Sequence, residues 1–183
     1  MARIWLVRHA EAAAGWGDDP DPALSEAGFE QAEALARSLA PLGPMPIRTS
    51  PLRRCQQTAA PLAARWGIEP LVDQLVGEIR SPTDDLAQRP IWLRDVMRSR
   101  WSELTDADRQ WRDAVVAHVA GLTHDTVVVT HFVLTNAIVG AATGDDRVVS
   151  FSPANASVTV VETDADGGPQ ILARGTEMAS DVL

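Results

Sequence analysis

The 183-residue chain contains no lysine; all sixteen of its basic residues are arginine. Any anion site must therefore be built from arginine forks, histidine or backbone amides. Cysteine is almost absent as well. The lone Cys55 excludes an internal disulfide framework and any multi-cysteine metal site. No apolar run approaches the ~18 residues of a membrane span. Near the N-terminus, charge at Arg3, Arg8 and Glu11 interrupts what would have to be a signal-peptide apolar core, so the reading is of a cytoplasmic protein. A net charge of −9 argues against non-specific binding to nucleic acid or to an anionic membrane. What is present, 45% hydrophobic and 22% charged residues, suits one ordinary globular domain.

Short apolar runs alternate with helical patterns. Ile4 to Val7 and Thr126 to Thr130 read as strands covered on both faces, and Pro46 to Thr49 and Pro70 to Val72 as shorter ones. A helix should follow Ser25 as N-cap, with Leu24 and Phe29 as a staple and Phe29, Ala32, Leu35, Ala36 and Leu39 on its apolar face. Ser50-Pro51 reads as the start of a second helix, whose face carries Leu52, Cys55, Ala59, Leu62, Ala63 and Trp66. Residues 80–109 read as an insertion with one or two short helices. Helices around Trp111 to Leu122 and from Phe132 to Ala142 follow. Strands at 157–161 and 170–172 flank a hairpin signal at 164–168. The expected fold is a three-layer α/β/α sandwich with a mainly parallel sheet, one domain over 1–183, and the insertion lying over the strand C-terminal ends.

In such sheets ligands bind beyond the carboxyl ends of the strands. Arg8-His9 and His131 both follow strands, and Arg54 projects from the first turns of the helix after a third. Two arginines and two histidines suit a phosphoryl dianion, and neutral imidazole is a competent nucleophile toward phosphorus. That reading gives an anion site with a candidate nucleophile and leaves the reaction open.

The segments Leu6-Val7-Arg8-His9-Ala10-Glu11, Ser50-Pro51-Leu52-Arg53-Arg54-Cys55-Gln56-Gln57-Thr58 and Val127-Val128-Val129-Thr130-His131 resemble, in order, the motifs of the histidine phosphatase superfamily, the phosphoglycerate mutase-like group. Leu24 to Ala32 is similar to its first-helix start, and Gln74 to Ile79 to the segment carrying its acid. The resemblance implies His9 as phospho-accepting nucleophile, with Arg8, Arg54 and His131 as the phosphate pocket. It implies Glu78 as proton donor, with Arg53 and Phe132 at the rim. Glu11 is read as an orienting acceptor, Cys55 as core, and His118 and His124 as packing or surface residues.

The chain departs from the family pattern at four places: Ala10 replaces the usual glycine, Phe132 replaces a small residue after the second histidine, Gly15 stands where mutases carry asparagine, and Ile79-Arg80-Ser81-Pro82 follows the acid. The implied activity is that of a histidine-type acid phosphatase hydrolysing a small phosphomonoester, without metal or cofactor. The alternatives are a phosphohistidine-protein phosphatase, a phosphoglycerate-type mutase, or a non-catalytic phospho-ligand binding module. Homodimer formation is left open by the sequence.

Overall fold

The computed structural model describes residues 1–15, 17–164 and 168–178. Its six strands are β1 (Ala2–Arg8), β2 (Ile47–Thr49), β3 (Leu71–Val72), β4 (Thr126–Thr130), β5 (Val158–Asp164) and β6 (Gly168–Ala173). They form one sheet in the order β3-β2-β4-β1-β5-β6. β3, β2, β4 and β1 run parallel, while β5 pairs antiparallel with both β1 and β6. The expected hairpin is thus formed by β5 and β6; its turn residues 165–167 lie outside the described residues.

Alternation along the central strands sends side chains to both faces. Ile4, Leu6 and Val128 join a core with Val115, Val119, Leu134 and Ile138 from α4 (Asp106–Ala120) and α5 (Phe132–Thr143). Val7, Val127 and Val129 face the other way, onto α1 (Glu26–Leu39) and α2 (Arg53–Trp66). Each fully buried aliphatic side chain stabilises the layers by about 1.5–3 kcal/mol. The result is a six-stranded, mainly parallel sheet flanked by helices on both faces.

Register fixes where the site lies. Val7 pairs with Val129 and Arg8 with Thr130, while Thr49 pairs with both Val129 and Val72. Four parallel strands therefore end in step, and their next residues, His9, Ser50, Asp73 and His131, emerge at one edge. Backbone bonds lock that edge: His9 N–H donates to the Thr130 carbonyl at 2.9 Å, and Ser50 N–H to that of Val129 at 3.0 Å.

Ser25 caps α1 as expected, accepting from the Gly28 N–H at 3.0 Å. Phe29 does not join the core; it is exposed, and Gly28 takes the buried position. The reason is the chain passing overhead. A Cβ on Gly28 would lie 2.1 Å from the Glu11 carbonyl oxygen, a separation only backbone movement relieves. Gly28→Ala is expected to destabilise the protein by about 1–3 kcal/mol, read as a lower midpoint in urea with an unchanged m value. Wild-type stability in this variant would mean that the loop after His9 does not press on α1.

The second helix also starts later than its sequence suggests. α2 begins at Arg53 with Leu52 as the flanking residue, and no side chain caps it at that position. Ser50 is withdrawn into the strand-end cluster, and Asp21 Oδ1 accepts from the Arg53 N–H instead, at 2.8 Å. Within 80–109 the structure has α3 (Arg89–Arg98) and a 3₁₀ turn at Trp101–Glu103. Its last residues already belong to α4, which Thr105 caps.

Candidate active site

His9 follows β1 with both ring nitrogens engaged. Nδ1 lies 2.8 Å from the Ala10 carbonyl, which can only accept, so Nδ1 carries the proton and Nε2 the lone pair. Arg54 Nε donates to that Nε2 at 3.2 Å. Burial, then the positive charge of Arg54, hold the imidazole down at about 3, with Arg8 adding less than the Ala10 carbonyl takes back. At neutral pH the ring is uncharged, with its nucleophilic nitrogen facing a guanidinium.

Thr58 sets this geometry from behind. Its hydroxyl accepts from the Ala10 N–H at 3.0 Å and donates to the Arg54 carbonyl at 2.7 Å, tying the loop after β1 to the first turn of α2. Arg54 is almost fully buried. Its outer nitrogen lies 3.3 Å from His131 Nδ1, and Asp21 stands 4.0 Å away on the exposed side.

His131 is fully enclosed beneath these groups. Because Arg54 only donates, Nδ1 of His131 accepts; Nε2 then carries the proton and donates to Ser50 Oγ at 2.8 Å. The two imidazole centroids are 5.2 Å apart in an edge-to-face arrangement. Burial first, and then His9 and the two arginines, keep His131 neutral far below its ordinary range.

Arg8 reaches the same cluster from the last residue of β1. One terminal nitrogen donates to the Pro153 carbonyl at 2.7 Å, and the guanidinium lies 5.1 Å over the Phe132 ring. Its buried Nε has no hydrogen-bond partner among the described residues. An orphaned guanidinium donor on a cavity wall is a ready anion ligand.

Glu78 is placed by its own segment. Asp73 caps a 3₁₀ turn over Gln74–Val76, Thr130 Oγ1 donates to the Val76 carbonyl at 2.7 Å, and Val76 and Ile79 are buried. Asp73 is itself fixed by Arg48 and His118, each at 2.7 Å, so His118 serves packing through this hydrogen bond. The Glu78 carboxylate oxygens accept from the Ile79 N–H at 3.0 Å and from Val133, at the start of α5, at 3.3 Å. Burial pushes the carboxyl up to about 7, although those bonds and the two arginines pull the other way.

Arg8, His9, Arg54, Glu78 and Phe132 line one cavity of about 980 Å³. His131 does not line it but lies buried against Arg54 and Ser50, and Arg53 is exposed outside it. Sequence reading missed Ser50, Asp21 and Thr58. Only Thr58, four residues after Arg54 on the same helical face, carried a local signal. Among the described residues no cluster of three or more histidine, cysteine or acidic side chains has the arrangement of a metal site. No described helix is long and apolar enough to cross a membrane.

Cys55 packs beneath the cluster, 3.4 Å from His131 Nε2, and burial raises its thiol far above the usual range. It should be inert. Alkylation in the native protein is expected to be slower than in urea by on the order of 10³ or more, since only the unfolded chain exposes a reactive thiol. Rapid native labelling, followed by mass spectrometry, would contradict this burial.

The arrangement offers a neutral imidazole lone pair, two guanidinium groups and a carboxyl that titrates near neutrality, at one sheet edge. An uncharacterized protein of Mycobacterium tuberculosis (strain CDC 1551 / Oshkosh) is 32% identical over an alignment of 146 residues that covers 70% of this chain and 72% of that one. The solved structure of YhfR from Bacillus stearothermophilus superposes with a TM-score of 0.74 at 21% identity, covering 97% of this chain and 98% of that one. A mycobacterial glucosyl-3-phosphoglycerate phosphatase, solved with VO3, gives 0.70 at 23% identity over 97% and 100% of the two chains. The family model for the histidine phosphatase superfamily (branch 1) matches residues 4–175. Nearly the whole sequence is covered by that match, and the chain belongs to the histidine phosphatase superfamily.

Proposed function

We propose that the protein is a phosphatase hydrolysing small phosphomonoesters through a phosphohistidine on His9. The observation that carries the reading is the His9 tautomer: a neutral ring on the cavity wall whose Nε2 lone pair is held by Arg54, with Arg8 and its orphaned donor lining the same cavity. Incoming phosphate oxygens replace His9 as the acceptor for Arg54, which frees the lone pair for in-line attack. Arg8 and Arg54 bind the equatorial oxygens from the walls. As the Arg54 guanidinium turns outward, the His131 proton shifts from Nε2 to Nδ1, Ser50 Oγ–H then donating to Nε2, and Nδ1–H donates to a phosphate oxygen from below.

Glu78, protonated, delivers its proton to the leaving alkoxide as the P–O bond breaks. The resulting carboxylate takes a proton from water, which attacks the phosphohistidine, and phosphate and free His9 result. The guanidinium groups supply the charge neutralisation that such a transfer needs, so the scheme calls on no metal. Residues 80–109, several of which line the cavity, act as the lid of a single 1–183 domain.

The test is a panel of alkyl and aryl phosphomonoesters at several pH values, with chelator present. Turnover of at least one ester class, undiminished by chelator, is the expected result. Tight phosphate binding without turnover of any ester would favour a binding module on the same fold. A mutase is disfavoured by Gly15 in place of the mutase asparagine.

A further inference from the structure

The phosphoryl-binding groups account for one end of a cavity whose volume, about 980 Å³, is at the upper end of the range for drug-sized ligands. Away from that end the lining is mixed, but one continuous part of it, on α3 and α4, is apolar. Leu93 and Met97 of α3, Trp111 and Val115 of α4, and Ile79 beside Glu78 line it. Leu93, Met97 and Trp111 are each only partly covered by the protein. Trp111 is held rigidly, stacked on the buried Trp101 with centroids 6.1 Å apart and planes at 28°. Of the charged lining residues beyond the phosphoryl end, Glu11, Asp19, Arg80 and Asp84 are exposed and keep their water, while Arg89, at the start of α3, is half-buried. A polar leaving group would strand the apolar wall wet; an apolar one would dry it.

We infer that the cavity wall formed by Leu93, Met97 and Trp111 is the specificity pocket for an apolar leaving group, making the substrate class phosphomonoesters of aliphatic or aromatic alcohols. The inference rests on the phosphomonoesterase reading for the placement of the phosphoryl end. Its own content is the affinity of the wall for hydrocarbon. The pocket is built before the ligand arrives, since α3 and α4 already pack on the core through Val96, Val115 and Val119. Little ordering cost then offsets the burial.

The test separates binding from chemistry. n-Alkylphosphonates from ethyl to hexyl carry the same headgroup and cannot be hydrolysed, so calorimetric Kd values report the wall alone. Affinity is expected to rise about threefold per methylene, or on the order of 10²-fold across the series. In Leu93→Asn and Met97→Gln the hexyl-to-ethyl ratio should fall to about tenfold or less. That ratio is internal to each variant and does not depend on the fraction of folded protein. A flat series, or phosphonoacetate binding more tightly than hexylphosphonate, would overturn the inference. A steep series together with no turnover of any alkyl or aryl phosphate would uphold the apolar pocket and remove the phosphatase reading.

Discussion

His9→Ala is expected to abolish turnover of every phosphomonoester, with a loss of at least about 10⁴-fold in kcat. The cause is the loss of the neutral imidazole nitrogen that lines the cavity. His131 cannot replace it, because it is enclosed beneath Arg54 with Nε2 engaged by Ser50. The variant should still bind phosphate. Arg8 and Arg54 remain, and removing His9 frees Arg54 Nε from its present acceptor. Steady-state kinetics with a calorimetric phosphate Kd would show whether chemistry is lost while binding is kept. Loss of both would mean that His9 mainly supports the fold of the pocket. Loss of neither would place the chemistry elsewhere.

Glu78→Gln should discriminate between substrates according to how much their leaving group needs a proton. An alkoxide is a poor leaving group, and loss of the acid should cost about 10²–10⁴-fold. An aryl oxide leaves with less help, and the imidazole of phosphohistidine with less still, so those losses should be smaller in that order. An equal loss on all three would remove Glu78 from the acid role.

The pH dependence has a definite sign. With its carboxyl near 7, Glu78 is the required acid below that pH, so kcat/KM for an alkyl phosphate should fall about tenfold per unit above it. His9 adds no limb in this range, since it titrates at about 3. Stability gives an independent readout. A carboxyl raised from 4.5 to about 7 contributes stability that is complete below 4.5 and is lost as pH rises through 7. The wild-type protein should therefore lose more stability between pH 6 and 8.5 than Glu78→Gln does.

Much of this site was legible before any coordinates. His9 and His131 follow short apolar runs, and the parallel pairing expected of such runs brings them to one edge, as the Arg8–Thr130 register shows. Helical periodicity correctly placed Cys55, Ala59 and Leu62 inside α2. What failed depended on contacts distant in sequence. Ser50 has the local chemistry of a cap, yet its hydroxyl faces His131, and Asp21, from a loop 32 residues upstream of Arg53, takes over the helix start. Phe29 has the hydrophobicity of a core residue, but the Glu11 backbone crosses α1 at Gly28 and turns that face of the helix over to glycine. The orphaned Nε of Arg8 was also unreadable, because it depends on where the Pro153 loop and Phe132 place the rest of the guanidinium.

The central claim is that phosphorus becomes bonded to His9 Nε2. Wild-type protein mixed briefly with a radiolabelled phosphomonoester, quenched, and digested for mass spectrometry tests it directly. The account predicts a single phosphoryl group on the His9 peptide, stable in alkali, lost in acid, and formed and discharged at rates compatible with turnover. Turnover without any such adduct, or an acid-stable adduct on another residue, would contradict it.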